Sequence, residues 1–199
     1  MNETGIIILA AGSSSRLGRP KQLLSFQNKS LIEHSIDEAV AAKLTPVIVV
    51  TGAYGESVST YLKNKEVVIV YNEAWKKGMG SGIKAGLKQA MLLNEKLQSI
   101  IISVCDQPFV SASLFRKLTE KKKETAKGIV ACSYADTIGT PVLFAHSYFD
   151  KLLQLEESEG AKSLVKMYND DLATVAFAKG NIDIDTEEDY KNLLNHTRT

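Results

Sequence analysis

The chain has 199 residues, 44% hydrophobic and 24% charged, enough to bury the core of one domain but cramped for two. Its 24 basic and 23 acidic residues leave a net charge of +1, which gives no electrostatic footprint for nucleic acid or an anionic membrane surface. No apolar run reaches the ~18 residues of a membrane span.

In chain order, Met1-Asn2-Glu3-Thr4 lacks the basic region of a signal peptide, and the apolar run 6–11 is too short for a signal core, so a cytoplasmic protein is expected. Residues 5–11 predict a strand, followed by a polar loop at 12–20. A helix starts at Ser30, where Ser30 and Glu33 fit a capping box and Ile32, Ile36, Ala39 and Val40 form one face. Residues 46–50 predict a second strand, closed by Thr51-Gly52, and 67–71 a third. A helix at 81–94 carries Ile83, Leu87, Ala90 and Met91 on one stripe. Residues 100–104 are nearly all apolar, as in a strand buried on both faces. The second half predicts a helix at 113–125, strands at 128–133 and 141–144, helices at 146–155 and 160–168, and a strand at 172–178. Thr186 then caps a terminal helix with Glu187, Glu188 and Asp189 in its first turn.

Strands alternating with helices predict a three-layer α/β domain with a mainly parallel sheet. Ligands should gather at the carboxyl ends of its strands, which selects the loops at Gly12, Thr51, Asn72 and Asp106. Cys105 and Cys132 lie in apolar runs and read as reduced, buried residues. His34, His146 and His196 are scattered without zinc-ligand spacing.

The loop after the first strand, Gly12 to Lys21, holds two glycines, three serines and the cations Arg16, Arg19 and Lys21. Small residues let backbone N–H groups approach an anion, and the cations neutralise it. It is not a Walker A loop, because five residues separate Gly12 from Gly18 and Arg19 follows. It reads as a phosphate-binding loop of another type, the alternative being a solvated turn. Gly80-Ser81-Gly82-Ile83-Lys84-Ala85 formally fits a relaxed dinucleotide pattern but does not directly follow a strand; it can offer a helix N-terminus to an anion or ribose, or be a flexible loop. In Cys105-Asp106-Gln107-Pro108 a carboxylate ends a buried strand, which is costly unless it is paired or binds a cation; the alternative is a turn former before proline. A second carboxylate would be wanted for a metal, and Asp183 and Asp185 point to the same side of an extended segment.

The run Leu9-Ala10-Ala11-Gly12-Ser13-Ser14-Ser15-Arg16-Leu17-Gly18-Arg19-Pro20-Lys21 resembles the signature loop of the MobA-like nucleotidyltransferases, most closely the molybdenum cofactor cytidylyltransferase (MocA) branch. The likeness continues through Thr51-Gly52, Asn72, Ser81, Cys105-Asp106-Gln107-Pro108 and Asp183-Ile184-Asp185-Thr186. It implies a Rossmann-like, GT-A-type nucleotidyltransferase fold in a single domain over 1–199, with a nucleotide-binding half to about 110 and an acceptor-binding half over 111–199. The implied reaction moves CMP from CTP to molybdopterin or its metal-loaded form and releases pyrophosphate. By the same resemblance, Leu9, Ala10, Ala11 and Gly12 hold base and ribose, while Thr51, Gly52, Asn72 and Ser81 complete the nucleotide pocket. Arg16 and Lys21 bind the triphosphate, and Mg²⁺ sits on Asp106 with Asp185 first and Asp183 second. A molybdoenzyme or its chaperone is the implied recipient of product.

Two stretches depart from the branch: Gly139-Thr140-Pro141 stands for Gly-His-Pro, and Glu157 to Lys162 for Gly-Asp-x-Gly-Ala-Arg. Both fall in the acceptor half. The alternatives are a cytidylyl- or other nucleotidyltransferase acting on a sugar- or polyol-phosphate, and a nucleotide-binding regulator without turnover.

Overall fold

The computed structural model describes residues 3–196; the readings of Met1 and Asn2 and the side chain of His196 lie outside those residues. Strand β1 (Thr4–Ala10) is buried along its whole length. A short hairpin follows, β2 (Ser25–Phe26) and β3 (Lys29–Ser30), turned by Gln27 and Asn28 at positive φ. It leads into α1 (Leu31–Ala41), where Ser30 and Glu33 form the expected capping box. Next come β4 (Val47–Thr51), α2 (Gly55–Tyr61), β5 (Val68–Tyr71), α3 (Met79–Leu93) and β6 (Ser99–Val104). The second half runs α4 (Ala112–Thr125), β7 (Ile129–Tyr134), β8 (Thr137–Ala145), α5 (Phe149–Leu153), α6 (Lys162–Met167), β9 (Leu172–Ala176) and α7 (Glu187–His196).

Seven strands form one sheet in the order β5-β4-β1-β6-β8-β7-β9. Only β8 runs antiparallel to its neighbours; every other pairing in this sheet is parallel. The side-chain period of two splits each central strand between two cores. Ile6, Ile8, Val49 and Ile101 pack beneath α1, α2 and α4, while Ile7, Val50, Ile100 and Ile102 pack beneath α3, α5 and α6. Both faces are therefore covered, which gives the three layers and explains the continuous apolar strands.

Several boundaries differ from the sequence reading. Helix α2 was not anticipated, and α3 begins at Met79 rather than Ser81. The cap of α4 is Ser111, whose hydroxyl accepts from the Leu114 N–H. Strand β8 starts at Thr137, joined to β7 by Ala135 and Asp136 at φ 44° and 59°, the positive values a two-residue hairpin turn demands. The β7–β8 register shifts between Ala131 and Cys132, beside Pro141, which therefore interrupts no regular ladder. Val40 is 53% exposed rather than on the packed face of α1. Each i,i+4 step drifts about 40° around a 3.6-residue helix, so the Ile32–Ile36 row has left the buried arc by residue 40. Thr186 caps α7 reciprocally with Asp189: each backbone N–H donates to the other's side-chain oxygen, at 2.8 and 3.2 Å. Among the described residues no helix is long and apolar enough to cross a membrane.

Candidate active site at the carboxyl ends of β1 and β6

Because β1 pairs in parallel with both β4 and β6, the loops that leave these strands open on the same edge of the sheet. The loop after β1 is pinned at three points. Leu17 is buried with Leu24, Phe26, Leu31 and Ile184 in a small core of its own. The N–H groups of Leu17 and Gly18 both donate to the Ser14 carbonyl at 3.0 Å, and Gly18 supplies the positive φ that closes the turn. Gln22, fully buried, donates its Nε2 to the carbonyls of Ala10 (2.8 Å) and Gly12 (3.1 Å). Between these pins Gly12, Ser15 and Arg16 stay exposed.

Lys21 opens a short 3₁₀ turn and projects between two carboxylates distant in sequence. Its Nζ lies 2.5 Å from Asp106 Oδ2 and 2.8 Å from Asp185 Oδ1. Asp106 follows β6 and Asp185 precedes α7; the two segments are tied by the Ile184 N–H donating to the Asp106 carbonyl at 3.1 Å. Arg16 pairs with the other oxygen of Asp185. Arg19 grips Glu187 with two bonds, Nε to Oε1 at 2.8 Å and Nη2 to Oε2 at 3.0 Å, and lies over the Tyr190 ring. Every cation of the loop is thus held by an acid from the entry to α7 or the end of β6.

The ionisation of the cluster follows from this geometry. Burial disfavours the charged Lys21, but the Asp106 charge and the hydrogen bonds to both carboxylates outweigh it and push its pKa well above the lysine range. The Lys21 hydrogen bond holds Asp185 below the usual carboxylate value, against burial. Asp183, which has no such cation in hydrogen-bond contact, is raised by burial and by the charges of Asp106 and Asp185. Among the described residues no group of three or more His, Cys, Asp or Glu side chains is gathered to hold a metal ion. The Asp106–Asp185 pair nonetheless holds one cation between its oxygens, the Lys21 ammonium, and hard carboxylate oxygens are the donor type that Mg²⁺ and Mn²⁺ take.

The other expected nucleotide residues are placed differently. Leu9 and Ala10 are buried in β1 and only Ala11 and Gly12 reach the surface. Gly52 sits where a Cβ would lie 2.6 Å from Trp75 and 2.7 Å from the Ala11 carbonyl, so the loops after β1 and β4 touch backbone to backbone. Thr51 is fully buried and its hydroxyl turns toward the Val70 carbonyl. Asn72 and Ser81 are buried against each other: Asn72 Nδ2 donates to Ser81 Oγ at 2.8 Å, and Asn72 Oδ1 accepts from the Ala74 N–H. The side chains of Thr51, Asn72 and Ser81 are thus spent on local hydrogen bonds within the protein. Gly80-Ser81, read from sequence as a helix N-terminus or a flexible loop, is the first turn of α3, packed against residues 156–159. The Ser81 N–H donates to the Glu157 carbonyl, and Gly78 and Gly80 pack directly on the backbone of Glu156–Glu159. The Ser81 N–H is thereby spent within the protein rather than offered to an anion.

Beside the acid pair is a cavity of about 270 Å³ between the two halves of the chain, lined by Met79, Asp106, Gln107, Tyr134, Thr140 and Asp183. Gln107 is buried at its edge and donates to the Gly180 carbonyl at 2.7 Å. Sequence reasoning singled out Lys21, Asp106 and Asp185 but missed Gln22 and Glu187, whose roles show only once the chain is folded.

The sequence model of the MobA-like NTP transferase domain matches residues 6–173. The chain is 33% identical over 113 residues to nicotine blue oxidoreductase of Paenarthrobacter nicotinovorans, covering 56% of this chain and 53%, about half, of that relative. It is 22% identical over 191 residues to the molybdenum cofactor cytidylyltransferase of Escherichia coli (strain K12), covering 96% and 95% of the two chains. The crystal structure of Rv0371c from Mycobacterium tuberculosis H37Rv superposes with a TM-score of 0.84 at 28% identity, over 96% of each chain. The same protein in complex with manganese superposes at 0.81 and 25% identity, over 98% of this chain and 99% of that one.

Proposed function

The chain belongs to the MobA-like NTP transferase domain family, and from that premise we propose that it moves CMP from CTP onto a phosphorylated small molecule and releases pyrophosphate, with molybdopterin or its metal-loaded form as the preferred acceptor. The observation that carries this reading is the meeting of Lys21, Asp106 and Asp185 under a glycine- and serine-rich loop at the carboxyl ends of β1 and β6. In this reading the half to about residue 110 takes the nucleotide, and residues 111–199 supply the acceptor side.

Both reactants of such a transfer are anions, so the protein's task is to hold them together and offset their charge. Gly12 and the serines after it present backbone and hydroxyl donors, and Arg16 and Lys21 present cations toward the triphosphate. Asp106 and Asp185 are the residues that would hold a divalent cation, with Asp183 the further carboxylate. The cation, when bound, supplies positive charge against the α-phosphate and the departing pyrophosphate. The acceptor phosphate is already ionised near neutral pH, so no side chain need act as a general base. The cavity beside Asp106, lined from both halves, is where this reading puts the acceptor, and Thr140 stands there where the branch has histidine.

The Mg²⁺ requirement, CTP as donor, molybdopterin as acceptor, a molybdoenzyme or its chaperone as recipient and a cytoplasmic setting all belong to this proposal. The molybdenum cofactor cytidylyltransferase of Escherichia coli, alike over nearly the whole chain, supports CTP as donor and the molybdenum cofactor as acceptor, and the manganese complex of Rv0371c supports a divalent cation. The relative named as an oxidoreductase does not redirect the reading. The glycine pattern that would suit a dinucleotide is closed over by the backbone of residues 156–159. Pyrophosphate release from CTP and GTP, with molybdopterin and with sugar- or polyol-phosphates as acceptors, tests the proposal; no release with any of them leaves a nucleotide-binding protein without turnover.

A further inference from the structure

The phosphate-directed cations are not free in this structure. Lys21 is 14% exposed in its side chain and is shared between Asp106 and Asp185; Arg16 takes the second Asp185 oxygen; Arg19 is spent on Glu187. Asp185 is therefore bound by a cation on each of its oxygens, and Asp106 on one. These are the oxygens a divalent cation would need.

An ammonium and a metal cannot use the same lone pairs at once. Mg²⁺ demands oxygen at about 2.0–2.1 Å, inside the hydrogen-bonding distance that Lys21 Nζ now occupies, and the two cations would repel in a half-buried site. A nucleotide arriving alone meets the converse difficulty. Lys21 already gives two of its three N–H donors to Asp106 and Asp185, so turning them to phosphate takes it from both, which strands two carboxylates beside a third, Asp183, whose anion burial and the neighbouring acids already disfavour.

We propose that Lys21 is the resident counter-ion of the Asp106–Asp185 pair, and that a divalent cation enters by displacing its ammonium, which releases Lys21 and Arg16 to the triphosphate. The inference rests on the reading of this pair as the metal site, and adds to it that metal and nucleotide bind as a coupled exchange of partners. Each ligand alone leaves one set of charges uncompensated; together they satisfy both. Lys21 then opposes metal binding in the free protein and supports nucleotide binding in the loaded one, a reversal of sign that a simple phosphate-binding lysine does not produce.

The test is the binding of Mn²⁺ alone, without nucleotide, followed by the loss of the free-ion electron paramagnetic resonance signal. Melting curves with and without Mn²⁺ run in parallel on the wild type, Lys21→Met, and Lys21→Met combined with Asp106→Asn. Lys21→Met is expected to bind Mn²⁺ on the order of tenfold more tightly than the wild type, a coupling of ordinary size, and to gain more melting temperature from the metal. If Lys21→Met does not fold, Lys21→Gln carries the same expectation, since it removes the charge while keeping a donor. Equal or weaker Mn²⁺ binding in the lysine variant, with binding still lost on adding Asp106→Asn, overturns the exchange and leaves the metal site standing. Binding that survives Asp106→Asn in that background removes the metal site and with it the reading beneath. No binding by any of the proteins overturns the exchange, because a carboxylate pair freed of its lysine should hold the ion.

Discussion

Replacing Gln22 tests whether the loop after β1 is shaped by a single buried amide. Gln22 Nε2 donates to the Ala10 carbonyl at 2.8 Å and the Gly12 carbonyl at 3.1 Å, and its Oε1 has no hydrogen-bond partner. Gln22→Leu keeps the bulk and removes both bonds. Each neutral bond contributes about 1 kcal/mol net, and the buried Ala10 carbonyl loses a donor that water cannot easily replace. Removing the unpartnered Oε1 offsets part of this, leaving a loss of about 2 kcal/mol. For a chain of this size that is a fall of roughly 4–8 °C in melting temperature. Gln22→Glu has nearly the same shape but sets a carboxylate oxygen against two carbonyls, an uncompensated buried charge that should cost more than about 3 kcal/mol. The stability order is therefore wild type, then Leu, then Glu. A loop loosened between Gly12 and Lys21 misplaces the phosphate donors, so Gln22→Leu should also lower kcat/KM for the nucleotide by about tenfold or more. The checks are thermal unfolding of the three proteins and steady-state pyrophosphate release. A Glu variant as stable as the wild type refutes the donation from Nε2; a Leu variant with unchanged kcat/KM refutes the role of the amide in shaping the loop.

Asp106→Asn should fold yet lose about 10²–10³-fold in Mg²⁺-dependent turnover, the usual penalty for removing one electrostatic contact at a reacting phosphate; turnover near the wild-type value would make Asp106 only a turn residue before Pro108. Productive use of CTP should exceed that of GTP in direct competition, as the resemblance of the Leu9-Ala10-Ala11-Gly12 loop to the cytidylyltransferase branch implies; better use of GTP would reverse that assignment. Gly52→Ala should destabilise the fold by about 1–3 kcal/mol through overpacking, because its Cβ would meet Trp75 at 2.6 Å and the Ala11 carbonyl at 2.7 Å; an unchanged urea midpoint would show that the two loops can part freely.

The sheet was readable because its strands are buried on both faces: Ile6-Ile7-Ile8 and Ile100-Ile101-Ile102 feed alternate side chains to two cores and leave no polar break. Helix α2 was not, since only Gly55 and Val58 of its residues are buried and Ser57, Ser59 and Thr60 blur any stripe. The first half of β8 was missed for a related reason. Its turn is Ala135-Asp136, which carries none of the glycine that marks a tight hairpin, and the strand opens with Thr137 and Gly139 rather than an apolar alternation.

The site divides along the same line. Lys21 and Asp106 stood out because each breaks the local pattern, a cation closing a polar loop and an acid ending an apolar strand. Gln22 breaks nothing: beside Lys21 it is one more polar residue, and its burial under the loop follows only from the path of the chain. A sequence marks residues that are costly where they stand, but it does not say which costs cancel. The acid at 106 was expected to await a metal and the lysine a phosphate. They lie 85 positions apart, and Asp185 lies 164 from the lysine, so no spacing rule joins them. The fold does, and it lets each charge satisfy the other in the free protein. That mutual satisfaction lowers the cost of keeping a charged site folded while it is empty, and in the proposed exchange it is what the ligands would have to displace.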